Sequence, residues 1–315
     1  MGSSIGTYKI GIIPEDQKIL RFSHKAMATI FEIFIVGTDK VYAAQAANAA
    51  FNELDRLEDE LSFFLSNSDI SRINNLQQNE IITIGIDAFE CLNRCFKLYQ
   101  RTKGAFDISI RPLIELWKRY DYPGNQPSEE ELSLARSKTG LPWLQILEGT
   151  HQVCLMNKSI QIDLGGFGKG YALDVLKIHL DDWGIRNGLI HSGQSTVSSF
   201  GAALPAVKWP LSVSDPKNSG TILKNIEFEK GALSGSGIKK GQHIIDPRSA
   251  KPVTNRLAAW AFTAGAGEAD ALSTAFMVMT PEEIRNYCNK YPVSGLTVEN
   301  DTDNTVHFYG TWANE

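Results

Sequence analysis

The chain has 315 residues, 43% of them apolar and 21% charged, with a formal net charge of −5. At roughly 100–200 residues per domain this is one large domain or two small ones, with a core large enough to need no disulfide or metal staple. No basic run exceeds two or three residues, which argues against non-specific nucleic-acid binding, and no apolar run approaches the roughly 20 residues of a membrane span.

The N-terminus "MGSSIGTYKIGIIPEDQ" has no apolar core of a signal peptide. Residues 1–20 read as an extension or leader and 21–315 as a single domain. As written the chain reads as cytoplasmic; a removed signal segment would make it periplasmic or lipid-anchored. The four cysteines, Cys91, Cys95, Cys154 and Cys288, form no CxxC pair and read as buried thiols.

In chain order, "ATIFEIFIVG" (28–37) alternates like a strand, and residues 39–64 carry helical spacing. "SNSDISRINNL" is a loop with a turn of helix, and "DAFECLNRCFKLYQRTKG" a helix stopped by Gly104. A proline-started turn in "RPLIELW" and a polar helix in "EEELSLARSKTG" follow. "WLQILEG", "QVCLMN" and "IQIDLG" read as strands, "KGYALDVLKIHLDDWGI" as a helix, and "NGLIHSG", "TVSSFG", "WPLSVSD" and "IEFEKGALSGSG" as strands again. After the turn in "HIIDPRSAKPV" come a strand, two helices and two closing strands. Helices and antiparallel-looking strands mix without strict βαβ alternation, which predicts an α+β fold of mixed, largely antiparallel sheets with packed helices.

Three stretches carry candidate chemistry. "QIDLGGFGKGYALD" (161–174) brings glycines close to a helix start and adds Lys169. Such a turn lets a ligand approach backbone, and the helix N-terminus favours an anion. The P-loop spacing fails, with Asp163 and Gly170 in the required places, and Tyr171 replaces the last glycine of a dinucleotide fingerprint. A turn for tight strand–helix packing is an equal alternative. In "EADALSTAF", Asp270 and Thr274 are spaced i,i+4 and offer hard oxygens suited to Mg²⁺ or Ca²⁺. Alone, they read better as the polar start of a helix. His243 in "QHIIDPRSAKP" has the chemistry of a general base, though a lone histidine there reads better as a surface residue in a turn.

Together and in this order the segments resemble the FAD:protein FMN transferases of the ApbE family, from about Met27 to Val278. "LSFFLSNSDISRIN" is similar to the family's Ser-x-aromatic, Asp-Ser, Arg-x-Asn segment, and "GAFDISIRPLIELW" to G-x-F-D-x-T/S-x-x-P-L-x-x-x-W. "IDLGGFGKGYALD", "HIIDPRSAKP" and "ADALSTAFMVM" resemble D-L-G-G-x-A-K-G-Y-x-x-D, H-I-I-D-P-x-T-G-x-P and A-D-A-L-x-T-A.

The resemblance implies an ApbE-like fold and Mg²⁺-dependent transfer of FMN from FAD to a Thr or Ser hydroxyl of a target protein, a flavinylated redox subunit, with release of AMP. It implies Asp270, Thr274 and the Gly168 carbonyl as metal ligands, and His243 and Lys169 as catalytic groups. It places Met27, Phe64, Asp107, Gly165, Gly166, Lys169, Asp174 and Ser234 at the FAD. Family targets carry a short Asp-x-x-Ser/Thr-Gly-Ala-Thr/Ser acceptor motif. The chain departs from the pattern at Ser192-Gly193-Gln194-Ser195, where the family has G-G-D, and at Leu233-Ser234-Gly235, where it has T-S-G. Ala28 and Ala250 replace family glycines. These departures leave two alternatives open: a Mg²⁺-dependent FAD pyrophosphatase giving FMN and AMP, and a flavin-binding protein whose catalysis has decayed.

Overall fold

The computed structural model describes residues 8–10, 19–120, 124–147, 149–157, 160–202, 208–238 and 244–314. The chain runs β1 (Tyr8–Ile10), β2 (Ile19–Ala26), β3 (Thr29–Val36), α1 (Lys40–Leu61), α2 (Asp69–Asn74), β4 (Ile81–Thr83) and α3 (Ile86–Arg101). Then come α4 (Arg111–Trp117), α5 (Glu129–Ser137), β5 (Leu144–Leu147), β6 (Gln152–Leu155) and α6 (Gly168–Asp182). Five strands follow: β7 (Gly188–Ser192), β8 (Thr196–Phe200), β9 (Trp209–Ser214), β10 (Ile222–Phe228) and β11 (Lys230–Gly237). The chain closes with β12 (Ile245–Asp246), β13 (Lys251–Pro252), β14 (Arg256–Thr263), α7 (Ala266–Val278), α8 (Pro281–Lys290), β15 (Ser294–Glu299) and β16 (Val306–Tyr309). This is the α+β architecture that the sequence predicts.

The largest sheet has eight strands in the order β16-β15-β14-β11-β8-β7-β3-β2, every pair antiparallel. Strand alternation gives it two working faces. Phe31, Ile33, Ile35, Ile190 and Ala232 point into a core shared with α1, α6 and α7. Leu189, Val197, Leu233 and Trp260 point the other way, into a second core closed by Trp209, Leu211 and Val213 of β9. β9 belongs to a smaller sheet, β1-β9-β10, so β1 joins the fold through β9.

α1 forms because alanines and leucines recur at helical spacing: Ala43, Ala46, Ala47, Ala50, Leu54, Leu57 and Leu61 are all buried. Each buried leucine contributes about 2 kcal/mol. Asp39 starts the helix by accepting from the Val41 and Tyr42 backbone N–H groups. The helix ends at Leu61, three residues earlier than the pattern suggests, and this leaves Phe63 and Phe64 in a loop.

Two readings are corrected. "IQIDLG" is extended but joins no sheet. Its bonds go instead to the Asn74 side chain, which donates to the Ile162 carbonyl and accepts from the Ile162 N–H, and to the Ile108 carbonyl. A side-chain amide there replaces a neighbouring strand. "IEFEKGALSGSG" is two strands in different sheets, β10 and β11, broken at Glu229. All four cysteines are buried and free, and burial pushes the Cys91, Cys95 and Cys288 thiols up.

Candidate active site

α7 is apolar around nearly its whole circumference, and ten of its residues from Ala266 to Met277 are buried. A carboxylate on such a helix must find donors or remain costly to bury. Asp270 finds three. Its Oδ2 accepts from the Gly170 N–H at 3.2 Å, and its Oδ1 meets Ser234 Oγ at 3.2 Å and Thr196 Oγ1 at 3.3 Å. Ser234 and Thr196 are cross-strand partners on β11 and β8, and their hydroxyls lie 2.9 Å apart. One α7 turn later, Thr274 Oγ1 lies 3.1 Å from Ser236 Oγ, which also reaches Ser273 Oγ at 2.8 Å. Helix spacing and strand alternation thus gather six oxygen-bearing side chains in one sheet–helix seam.

The glycine turn closes this seam. Gly170 packs so tightly on α7 that a Cβ would collide with the Ala266 carbonyl and come within 2.9 Å of Asp270 Cβ. A Cβ on Gly166 would lie 3.5 Å from Thr274 Oγ1 and equally near the Phe106 ring. The N-terminus of α6 has no side-chain cap. The anion it meets is the Asp270 carboxylate, through the N–H of its third residue. Both contacts are close packing: Gly170 lets α6 approach α7, and Gly166 brings the turn against Thr274. Lys169 reaches back, its Nζ donating to the Gly165 carbonyl at 3.1 Å.

The fold brings Gly166, Ser234, Asp270 and Thr274 to this seam, while Gly168 and Lys169 lie at the start of α6, where Lys169 turns to the Gly165 carbonyl. Asp107 is buried one residue beyond Phe106, and its Oδ1 accepts from the Ser109 N–H and Oγ. Burial raises its carboxyl above the usual range, against the pull of those Ser109 donors. Asp174 caps α7: its two oxygens accept from Ala266 and Gly267 N–H at 2.7 and 3.0 Å. Burial raises it as well. Met27 lies in the two-residue turn between β2 and β3, and Phe64 stands 80% exposed on its loop. His243 lies outside the described residues. Cavities of about 340 Å³ between α4 and α5, and about 230 Å³ beside Asp174 and Arg94, are lined by neither Asp270 nor Thr274.

A family model described as the ApbE family matches residues 27–297. The chain belongs to that family. It is 25% identical over 303 residues to the "FAD:protein FMN transferase" of Escherichia coli K12, covering 91% of this chain and 85% of that protein. The relative of the same name from Vibrio cholerae is 28% identical over 250 residues, 73% of each chain. Among solved structures, the flavin transferase ApbE from Vibrio cholerae superposes with a TM-score of 0.82 at 24% identity, covering 95% of this chain and 99% of that one. The ApbE protein from Thermotoga maritima gives 0.82 at 25%, covering 93% and 98%.

Within the ApbE frame, the departures sort by the face they occupy. Leu233 belongs to the second core, on the face of the sheet away from Asp270, while Ser234 keeps its place beside the carboxylate. Ser192 pairs across with Thr196 and is fully buried, and its Oγ has no hydrogen-bond partner among the described residues. Its hairpin is held by His191, whose ring nitrogens meet the Gly193 carbonyl at 2.8 Å and Glu32 at 2.9 Å. Sequence reasoning missed Thr196, Ser236 and Ser273. Only Ser273 left a trace, three residues after Asp270 on the same helix face.

Proposed function

We propose that this protein transfers FMN from FAD to a Thr or Ser hydroxyl of a target protein, with Mg²⁺, and releases AMP. The observation that carries this reading is the Asp270–Thr274 seam. Two separate segments, the glycine turn and α7, meet there over a floor of strand hydroxyls, inside a chain that belongs to the ApbE family. Relatives named FAD:protein FMN transferase support the substrate assignment.

The donor set fits the ion. Among the described residues no three His, Cys, Asp or Glu side chains gather. A metal held by Asp270, Thr274 and the Gly168 carbonyl would therefore take one carboxylate, one hydroxyl and one carbonyl. The remaining positions would fall to phosphate oxygens and water, as Mg²⁺ prefers. When bound, the ion supplies charge to the pyrophosphate oxygens.

The chain's own residues do the rest. The acceptor oxygen bonds to the FMN-side phosphorus, the bond from that phosphorus to the bridging oxygen breaks, and AMP leaves with that oxygen. The hydroxyl proton goes to a base, the role the family resemblance gives to His243. Lys169, at the open edge of the turn, adds positive charge where negative charge shifts to the leaving group. Thr196 and Ser234 fix the Asp270 carboxylate, and Asp174 fixes the helix that carries it. Stacking on Phe64 would hold the flavin ring.

The test is mass spectrometry of a peptide bearing the Asp-x-x-Ser/Thr-Gly-Ala-Thr/Ser motif after incubation with the protein, FAD and Mg²⁺. A mass gain equal to FMN, lost when Mg²⁺ is chelated, is expected. AMP release at the same rate without peptide would replace transfer by hydrolysis. FAD left intact would reduce the protein to a binder.

A further inference from the structure

Phe64 is exposed, yet its loop is anchored on three sides. The backbone is held by Ser71 Oγ, which donates to the Phe63 carbonyl at 3.0 Å, and by Ser62 Oγ, which accepts from the Phe64 N–H at 3.2 Å. The third anchor is Arg111, in the first turn of α4. Its guanidinium carbon lies 4.2 Å from the Phe63 ring centre and 5.7 Å from that of Phe64. Along its edge, Nη1 donates to Asp163 Oδ2 at 2.7 Å and Nε to Glu115 Oε1 at 2.8 Å. The other Asp163 oxygen accepts from the Gly165 N–H at 2.9 Å. The Arg111 side chain is only 15% exposed.

A planar cation is thus stacked on its face and hydrogen-bonded along its edge, a combination that arginine provides and lysine does not. It joins two segments far apart in sequence: the aromatic loop after α1 and the glycine turn before α6. We infer that Arg111 is a positioning residue. It holds the Phe63–Phe64 platform in register with the glycine turn, and so sets affinity for the ring half of the donor separately from its phosphate half. This inference rests on the transferase reading of the site.

The experiment titrates FMN and ADP, each with Mg²⁺, against the wild type, Arg111→Lys, Phe63→Leu and the double variant. Lysine keeps a charge for Asp163 but loses the stacked plane; leucine removes the stacked ring and leaves Asp163 untouched. Each single variant should weaken FMN by about fivefold to tenfold and leave ADP within about twofold. The double variant should weaken FMN by less than the product of the two single effects, because both remove the Arg111–Phe63 contact. With FAD as donor, KM should rise while kcat stays within about twofold. Equal weakening of FMN and ADP would mean that Arg111 merely supports the turn, and additive losses would mean that it does not act through Phe63; either overturns the inference. A wild type that binds ADP but neither FMN nor FAD would overturn the transferase reading itself, and the inference with it.

Discussion

Asp270 and Thr274 stand on a helix buried on nearly every side, with partners supplied by two strands and another helix. Phe64, Met27 and Asp107 stand on turns and loops, and Phe64 is 80% exposed. The two regions would hold opposite ends of one ligand. Phosphoryl transfer loses much of its rate when a positioned group moves by an ångström, so packed elements would suit the metal-binding role proposed for those oxygens. Ring stacking is non-directional by comparison and tolerates a loop, provided something fixes the ring. The comparison predicts that damage at the oxygen end stops chemistry, while damage at the ring end shifts affinity or stability.

The most severe break is Asp270→Asn. The side chain keeps its volume, but loses the charge that three donors and the proposed ion converge on. Turnover, measured as AMP release with FAD and acceptor peptide, should fall about a hundredfold or more. FMN binding should change far less. Activity within about threefold of the wild type would remove Asp270 from the chemistry and erase the distinction between the two ends.

Gly170→Ala tests the packing that builds the oxygen end. The added methyl meets the Ala266 carbonyl and Asp270 Cβ, so α6 and α7 must separate. Overpacking of this kind costs about 3 kcal/mol, which lowers the melting temperature of a chain this size by roughly 4–5 °C. An unchanged melting temperature would show that the α6–α7 contact has slack.

Asp107, which the family resemblance places at the flavin, has its own signature in pH. Burial raises the Asp107 carboxyl, so the folded state favours its protonated form. The associated stability is fully present below the ordinary carboxylate range and is lost as pH rises through the folded-state value. Asp107→Asn keeps an oxygen for the two Ser109 donors and removes the ionisation. Urea unfolding from acid to neutral pH should show wild-type stability falling relative to the variant. A difference that stays constant with pH would mean that Asp107 titrates as it does in the unfolded chain. Asp174 and Glu268, both raised by burial, leave a residual slope in the variant.

The same contrast explains what could be read from the sequence. α1, α3, α6 and α8 declare themselves because one apolar face repeats every three or four residues; α7, apolar nearly all round, shows as a run of helix formers, and Asp270 with Thr274 follows from the i,i+4 spacing on it. β2 escaped notice because it is an edge strand whose "ILRFSHKA" presents a charged or polar side chain at every second position. β4 is three residues long, too short for alternation to register. The strand read into "IQIDLG" failed because only tertiary structure shows Asn74 serving as its neighbour. Ser234 came from the family pattern, and Thr196 from neither pattern nor period. Its place beside Ser234 is fixed by a strand pairing across 38 residues of sequence.

The smallest predicted effects concern the two alanines that stand where the family resemblance expects glycine, and they divide along the same line. Both have left-handed backbones: Ala28 at φ +58° and Ala250 at φ +59°. Ala28 and Met27 form the two-residue turn joining β2 to β3, a geometry that favours glycine in its second position. A side chain in that conformation costs about 1 kcal/mol. The Ala28 methyl is exposed and returns nothing, so Ala28→Gly should stabilise the fold by about 1 kcal/mol. Ala250 carries the same strain, but its methyl is fully buried in a cluster with Leu113, Leu116 and Trp117. Burying one methyl contributes about 0.8 kcal/mol, which nearly cancels the strain, so Ala250→Gly should shift stability by less than about 0.5 kcal/mol. Urea midpoints of the two variants decide the matter. A gain at Ala250 equal to that at Ala28 would show that its methyl packs loosely. A loss at Ala28 would show that the β2–β3 turn needs the stiffness of a side chain more than it suffers from the strain.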